Sequence, residues 1–125
     1  MKIPEGYNTV MPYLIVKDAA AFKAFMIEVF NAKEKVEIMR ESSDVIMHAE
    51  ITIGDSTIMY ANSTENFKTE NAGMFIWVKD ADITFKKAMN LGASSVMPLS
   101  NQKYGRTCGI QDPFGNTWWV TSPIR

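Results

Sequence analysis

Two side chains that can transfer protons, His48 and Glu50, are separated by one residue in the apolar stretch that ends at Ile53. Residues two apart in a β-strand point to the same face, about 7 Å apart at Cα, so a ligand or a water molecule can bridge them. Histidine is the side chain that most often acts as a general base. The pair is therefore a candidate acid–base site. The alternative is a hydrogen-bonded polar pair that only stabilises the sheet or a subunit surface.

Other polar and aromatic residues offer weaker chemistry. Arg106 follows a glycine at the start of a predicted strand, where a guanidinium can hold a carboxylate or phosphate, although a solvated surface arginine is the simpler interpretation. Cys108 has no base near it in sequence and is interpreted as a small buried side chain. Trp118 and Trp119 must point to opposite faces of a strand, so at most one of them faces a cavity.

Composition limits the class of protein. The chain has 125 residues, 46% of them apolar and 22% charged, with a net charge of −1, as expected for one soluble globular domain. This charge balance predicts neither a nucleic-acid partner nor a membrane surface. The single cysteine and the absence of a signal or spanning segment predict a cytoplasmic protein. A single histidine excludes a metal site made of several histidines.

An internal repeat predicts the architecture. Val-Lys-Asp-Ala occurs at residues 16–19 and again at 78–81, each time after a hydrophobic run and before an amphipathic stretch. A period of about sixty residues indicates two copies of one supersecondary unit. Asp18 and Asp80 are expected to cap the helices. We predict a single domain over residues 1–125, with unit one at about 8–62, a polar linker at 63–72 and unit two at about 73–122.

Each unit is expected to have β-α-β-β-β order. The helices are predicted from Ala19 to Phe30 and from the Asp80 cap to Leu91, with Gly92 as C-cap. The predicted strands are Val10–Lys17, Lys33–Glu41, Val45–Ile53, Ser56–Asn62, Met74–Val78, Ser95–Leu99, Thr107–Gln111 and Thr117–Thr121.

Strand alternation separates two faces in each unit. Aliphatic residues suited to helix packing form one set: Leu14, Val16, Val45, Met47, Ala49, Ile51, Ile53, Ile76 and Val78. The opposite set is Met11, Tyr13, Ile15, Ile46, His48, Glu50, Thr52, Gly73, Phe75 and Trp77. Aromatic and methionine side chains are typical of a small-molecule cleft, and ordinary core packing is the alternative.

The paired units and the turn Asp112-Pro113-Phe114-Gly115-Asn116 before the last strand resemble the glyoxalase/bleomycin-resistance/dioxygenase superfamily, which has the vicinal oxygen chelate fold. The segment from Met47 to Ser56 and the tripeptide Tyr104-Gly105-Arg106 are similar to its PhnB-like branch, often labelled 3-demethylubiquinone methyltransferase-like. The resemblance implies an α+β fold of two tandem β-α-β-β-β units, which form a curved mixed sheet cup with helices on the convex side.

The resemblance also implies where a metal would bind. In the superfamily's metal enzymes, histidine and glutamate side chains from the first and last strands of each unit hold a divalent ion. The matching positions here are Met11, Met59 (or Ile58), Gly73 (or Met74) and Trp119. None of these is a ligand for a hard or borderline metal, and His48 with Glu50 supplies at most two. We therefore expect no metal and no cofactor. By its position, Trp119 is expected to face the cup.

These observations favour a metal-free protein that binds a small apolar or aromatic molecule, such as an antibiotic, as a homodimer, and they favour binding over catalysis. The expected ligand-contacting residues are Met11, Tyr13, His48, Glu50, Met59, Phe75, Trp77, Arg106 and Trp119. One alternative is a lyase, isomerase or dioxygenase-type enzyme that uses His48 and Glu50 or a non-standard metal site. Another is a structural or regulatory module whose cup is filled by side chains.

Overall fold

The first unit of the computed structural model, which describes residues 1–124, comprises Met1–Asn71. Its elements are β1 (Tyr13–Val16), α1 (Ala19–Phe30), β2 (Lys33–Met39), β3 (Ile46–Ile53) and β4 (Ser56–Asn62). They form a four-stranded sheet in the order β1-β4-β3-β2. The β1–β4 pair is parallel and the other two pairs are antiparallel, so the two edge strands, β1 and β2, also run parallel, and α1 is the crossover that connects them.

The second unit begins at Ala72 and repeats this plan. Its elements are β5 (Gly73–Trp77), α2 (Ala81–Asn90), β6 (Ser94–Gln102), β7 (Gly105–Gln111) and β8 (Thr117–Ser122). The sheet order is β5-β8-β7-β6, with β5 parallel to β8. The predicted fold class is confirmed: an α+β protein with two tandem β-α-β-β-β units, each with its own four-stranded mixed sheet.

The repeated tetrapeptide has the same structural role in both units. The Asp18 carboxylate accepts a hydrogen bond from the Ala21 amide at 3.0 Å, and the Asp80 carboxylate accepts one from the Ile83 amide at 3.1 Å. Each aspartate thereby satisfies an amide in the first turn of a helix, which has no partner within the helix. The predicted starts of both helices are confirmed.

Each helix packs on one face of its own sheet. In the first unit Phe22 of α1 contacts Tyr60 of β4, with ring centroids 5.1 Å apart, and both side chains are fully buried. In the second unit Cys108, Ile110, Trp118 and Val120 are buried. The predicted burial of Cys108 is thus confirmed, and burial raises the pKa of its thiol to about 11.

Several predicted boundaries are wrong by a few residues. β1 begins at Tyr13 rather than Val10, because sheet pairing starts only there and Val10 is exposed. β6 is longer than predicted and passes through Pro98, β2 stops at Met39, and α2 stops at Asn90 with Leu91 as its cap. No helix within residues 1–124 is long and apolar enough to cross a membrane.

The predicted alternation fails at the start of β3. Met47 was expected on the helix-packed face, yet it is 41% exposed, whereas Ile46 is buried. The pairing of β2 with β3 shifts at this point, from Ile38 opposite His48 to Met39 opposite Ile46. Such an irregularity changes which residues point to each face. From His48 onward the alternation is as predicted.

Candidate functional site

The face of the first sheet opposite α1 carries most of the polar residues expected at the site. Tyr13 of β1 and Glu50 of β3 both lie beside Met59 of β4 in the pairing register. Residues that are paired across strands point to the same face. The next residue of β4, Tyr60, contacts α1, so Met59 and its two neighbours point away from that helix. This also selects Met59 over the buried Ile58 as the residue at the superfamily's ligand position.

Four side chains on this face form a continuous hydrogen-bond chain, which we call the Tyr–His–Glu–Tyr chain. The Tyr13 hydroxyl lies 2.9 Å from His48 Nδ1, and His48 Nε2 lies 2.7 Å from Glu50 Oε2. The Tyr7 hydroxyl donates to the other carboxylate oxygen, Glu50 Oε1, at 2.6 Å. Both ring nitrogens of the histidine and both oxygens of the carboxylate are therefore engaged.

Glu50 is only 5% exposed, so its charge state depends on its neighbours. Burial by itself raises the pKa of this carboxyl group. The hydrogen bonds from Tyr7 and His48, together with the charges of His48 and Lys35, outweigh burial and hold the pKa of Glu50 below its ordinary value. The same hydrogen bond to the carboxylate raises the pKa of Tyr7, with smaller contributions from desolvation and charge. The stable arrangement is thus an ionised glutamate beside a neutral phenol.

Lys35 holds the N-terminal segment against this face. Its ammonium lies 3.6 Å from the centre of the Tyr7 ring and donates to the Gly6 carbonyl at 3.2 Å. The Thr57 hydroxyl donates to the same carbonyl at 2.7 Å. Sequence reasoning missed Tyr7 and Lys35, because the N-terminal segment has no periodicity and Lys35 belongs to a charge run typical of a solvated strand edge.

The second sheet carries the aromatic residues, on its face opposite α2. Phe75 and Trp77 of β5 have ring centroids 5.2 Å apart in an edge-to-face arrangement, and the Tyr104 ring lies 6.4 Å from Phe75. We call these three residues the aromatic cluster. They are 49%, 57% and 56% exposed, respectively. The predicted orientation of Phe75 and Trp77 is thus found, and Tyr104, which was not among the expected contact residues, joins them.

Trp119 lies beside this cluster. It is paired with Phe75 on one side and with Gly109 on the other, and it is half-buried. A Cβ atom at Gly109 would lie 2.5 Å from Cζ3 of the indole, so the ring occupies the space above the glycine. Trp118 points the other way, where its Nε1 donates to Asp112 Oδ2 at 2.8 Å. A glycine inside a strand is a known signal of close approach, and it was available in the sequence.

Two expected contact residues are placed differently. Arg106 lies on the α2 side of its sheet, paired with Ser122, and its Nε and Nη2 donate to the two carboxylate oxygens of Asp82 at 2.9 and 3.1 Å. This ion pair lowers the pKa of Asp82 and lines a shallow pocket of about 260 Å³. The structure does not bring Arg106 together with the aromatic cluster. Met11 precedes β1 and is half-buried.

The residues at the superfamily's metal positions do not fit a metal. Gly73, rather than Met74, shares the face of Phe75, so the four positions are Met11, Met59, Gly73 and Trp119. Two thioethers, a glycine and an indole offer no charged or imidazole donor. Across residues 1–124, no three histidine, cysteine, aspartate or glutamate side chains are grouped so that they could hold a metal ion.

Comparison with known proteins agrees with this architecture. The sequence matches the Glyoxalase/Bleomycin resistance protein/Dioxygenase superfamily over residues 6–120. An uncharacterized protein of Mycobacterium bovis, Mb0911c, is 30% identical over 91% of this chain and 82% of its own length. The chain therefore belongs to the glyoxalase/bleomycin resistance protein/dioxygenase superfamily, as its sequence resemblance implied.

Solved structures share the fold at lower identity. TioX from Micromonospora sp. ML1 is similar with a TM-score of 0.74 and 20% identity, over 94% of this chain and 100% of its own. A PhnB protein from Bacillus cereus is similar with a TM-score of 0.70 and 16% identity, over 92% of this chain and 99% of its own. At these identities the similarity shows the fold alone.

Proposed function

We propose that this protein binds a flat apolar or aromatic small molecule on the aromatic cluster of its second unit and does so without a metal. One observation carries the proposal: Phe75, Trp77 and Tyr104 leave about half of their surface exposed, and the Phe75 ring lies against the rings of the other two, beside Trp119. Exposed aromatic side chains that cluster in this way are typical of a binding surface, whereas single exposed apolar residues occur on the surface of most proteins.

The chemistry of the cluster limits the ligand class. None of its side chains is charged, and Arg106, the cation predicted at the site, is paired with Asp82 on the α2 side of the sheet. A neutral flat ring gains from offset or edge-to-face contact with such residues, about 1 kcal/mol for each ring beyond burial. An antibiotic with a planar apolar ring system is one molecule of this class.

A calorimetric titration tests the proposal. A panel of neutral planar aromatic compounds is titrated against wild type, Trp77→Ala and the control Ile83→Ala. Ile83 lies on α2 and is 56% exposed, close to the 57% of Trp77, so it tests for nonspecific binding to apolar surface. We expect Trp77→Ala to weaken binding about fivefold to tenfold and Ile83→Ala to leave it unchanged. Equal effects of the two variants, or no binding to wild type, would contradict the proposal.

The absence of a resident metal is a separate part of the proposal. It is supported by the residues at the four metal positions, Met11, Met59, Gly73 and Trp119. None of them offers a carboxylate or imidazole ligand to a metal. Elemental analysis of the dialysed protein is expected to find far less than one Zn, Ni, Fe or Mn per chain. A stoichiometric amount would refute this part and would leave the aromatic surface to be tested by the titration.

Members of this superfamily typically bind small molecules and form dimers. We propose that this chain is also a homodimer. The cytoplasmic location inferred from the single cysteine remains a prediction.

A further inference from the structure

The Tyr–His–Glu–Tyr chain runs from a buried carboxylate to an exposed phenol. Glu50 is 5% exposed, and Tyr13, at the other end, is 45% exposed. The single histidine of the protein joins them through its two ring nitrogens. A nucleophile or acid that is bonded to an imidazole, which is in turn oriented by a carboxylate, is the arrangement by which enzymes activate a hydroxyl group.

The hydrogen bonds determine which atom of His48 carries the proton. Glu50 is ionised and accepts at both oxygens, so the Nε2 atom beside Oε2 must be a donor. In a neutral imidazole the other nitrogen then has only a lone pair. Whenever the imidazole is neutral, Nδ1 therefore accepts, and the hydroxyl of Tyr13 is the donor across the 2.9 Å contact. The tautomer follows from the network of partners.

At the carboxylate end of the Tyr–His–Glu–Tyr chain, the oxygen of Glu50 that does not contact His48 is also held by a hydrogen bond. Tyr7 occupies Glu50 Oε1, and Lys35 covers the Tyr7 ring while it bonds to Gly6. The phenol end has no such cover. Catalytic groups are commonly held in this way, with the reacting atom exposed and its supporting partners locked by their own hydrogen bonds.

We propose that Tyr13 is an acid–base residue, with His48 as its proton acceptor and Glu50 as the positioning carboxylate, for a ligand that presents an ionisable hydroxyl or a proton next to a carbonyl. The Tyr13 oxygen takes a proton from the ligand while its own proton moves to His48 Nδ1. The ligand becomes an anion, and the imidazolium is balanced by the Glu50 carboxylate. Return of the proton along the same path restores the resting state.

This proposal is independent of ligand binding by the aromatic cluster, because all its residues belong to the first unit. It can be tested without knowing the ligand. Benzenesulfonyl fluoride reacts with an activated phenol: an O–S bond forms, the S–F bond breaks, fluoride leaves, and the phenol proton passes to the base. Tyr104 is the internal control, since it is 56% exposed and its hydroxyl has no hydrogen-bond partner within residues 1–124.

Peptide mass spectrometry measures the modification rates of the two tyrosines in the same sample. We expect Tyr13 to react at least about tenfold faster than Tyr104. His48→Gln is expected to bring Tyr13 down to the rate of Tyr104, and Glu50→Gln to produce an intermediate rate. Equal rates in wild type, or a rate at Tyr13 that His48→Gln does not change, would overturn the proposal.

A second measurement uses only the wild-type chain, so a variant that fails to fold does not weaken the test. With histidine labelled in the ring by nitrogen-15, the protein gives signals from His48 alone. We expect the Nε2–H tautomer, with Nδ1 unprotonated and accepting a hydrogen bond from Tyr13. The Nδ1–H tautomer, or an imidazolium with protons on both nitrogens, would leave Tyr13 without a proton acceptor and refute the assignment.

Discussion

The indole ring of Trp119 covers Gly109, on the neighbouring strand of the second sheet, so closely that a Cβ atom there would lie 2.5 Å from the ring. This contact explains why two adjacent tryptophans have different roles. Trp118 is held in the core by its hydrogen bond to Asp112, and Trp119 lies over Gly109 next to the aromatic cluster. The glycine determines how far the ring of Trp119 can approach the sheet.

Gly109→Ala is predicted to destabilise the protein by about 1–3 kcal/mol, because the new methyl group displaces the indole or strains the strand. Gly73→Ala is the matched control: this glycine is also in a strand of the second sheet, but a Cβ atom there meets nothing within 4 Å. Denaturant unfolding measures both. A Gly109→Ala variant as stable as Gly73→Ala would show that Trp119 does not occupy the position described.

The free energy of unfolding is predicted to fall in acid, because the Glu50 carboxylate becomes protonated. The folded protein holds the pKa of this carboxyl below its ordinary value of 4.5, through Tyr7, His48 and Lys35 against the opposing effect of burial. The ionised carboxylate therefore stabilises the folded state above the pKa of the unfolded chain. That stabilisation is lost as the pH falls through the lower pKa of the folded state.

The measurement is the free energy of unfolding as a function of pH, from neutral pH to below the ordinary pKa of glutamate. Glu50→Gln is expected to flatten the acid limb of this curve. Glu28→Gln, which alters an exposed glutamate of α1, is expected to leave the limb as in wild type. The idea fails if Glu50→Gln and wild type have parallel curves.

Tyr60→Phe is predicted to leave stability unchanged or to raise it by up to about 1 kcal/mol. The Tyr60 hydroxyl is buried without a hydrogen-bond partner within residues 1–124, and burial raises its pKa to about 12. Removing an unsatisfied buried group relieves a desolvation penalty. Thr107→Val is expected to behave oppositely and cost about 1–2 kcal/mol, because it leaves the buried Thr121 hydroxyl without its 2.8 Å partner. A loss of stability in Tyr60→Phe of similar size would refute the assignment of an unpaired hydroxyl.

The homodimer is tested by light scattering at micromolar concentration, where we predict twice the mass of one chain. Pairing of subunits buries strand edges and apolar surface that a single chain leaves exposed. A monomer over the whole accessible concentration range would reject this prediction, and it would leave the stability predictions above unaffected.

The fold could be predicted from the sequence because its signals are local and occur twice. The Asp18 and Asp80 caps and the alternation of Phe75 and Trp77 each depend on a few neighbouring residues. The Tyr–His–Glu–Tyr chain could be predicted only in part. His48 and Glu50 lie two residues apart in one strand, so their proximity can be read from the sequence. Tyr7 is 43 positions away from Glu50, in a segment without secondary structure. The position of Arg106 could not be predicted for a related reason, since its partner Asp82 lies on α2, 24 positions earlier in the sequence, rather than in its own strand.

Binding of a flat ligand by the aromatic cluster of the second unit can be observed at each tryptophan by fluorine NMR of protein labelled with fluorotryptophan. The chain contains three tryptophans, and each gives its own signal. Trp77 and Trp119 lie on the face of the cluster, and Trp118 lies on the opposite face in the core. On titration with a planar aromatic compound, we predict that the signals of Trp77 and Trp119 shift in a saturable way while that of Trp118 stays constant. Saturable binding that shifts only Trp118, or leaves all three signals unchanged, would contradict the account.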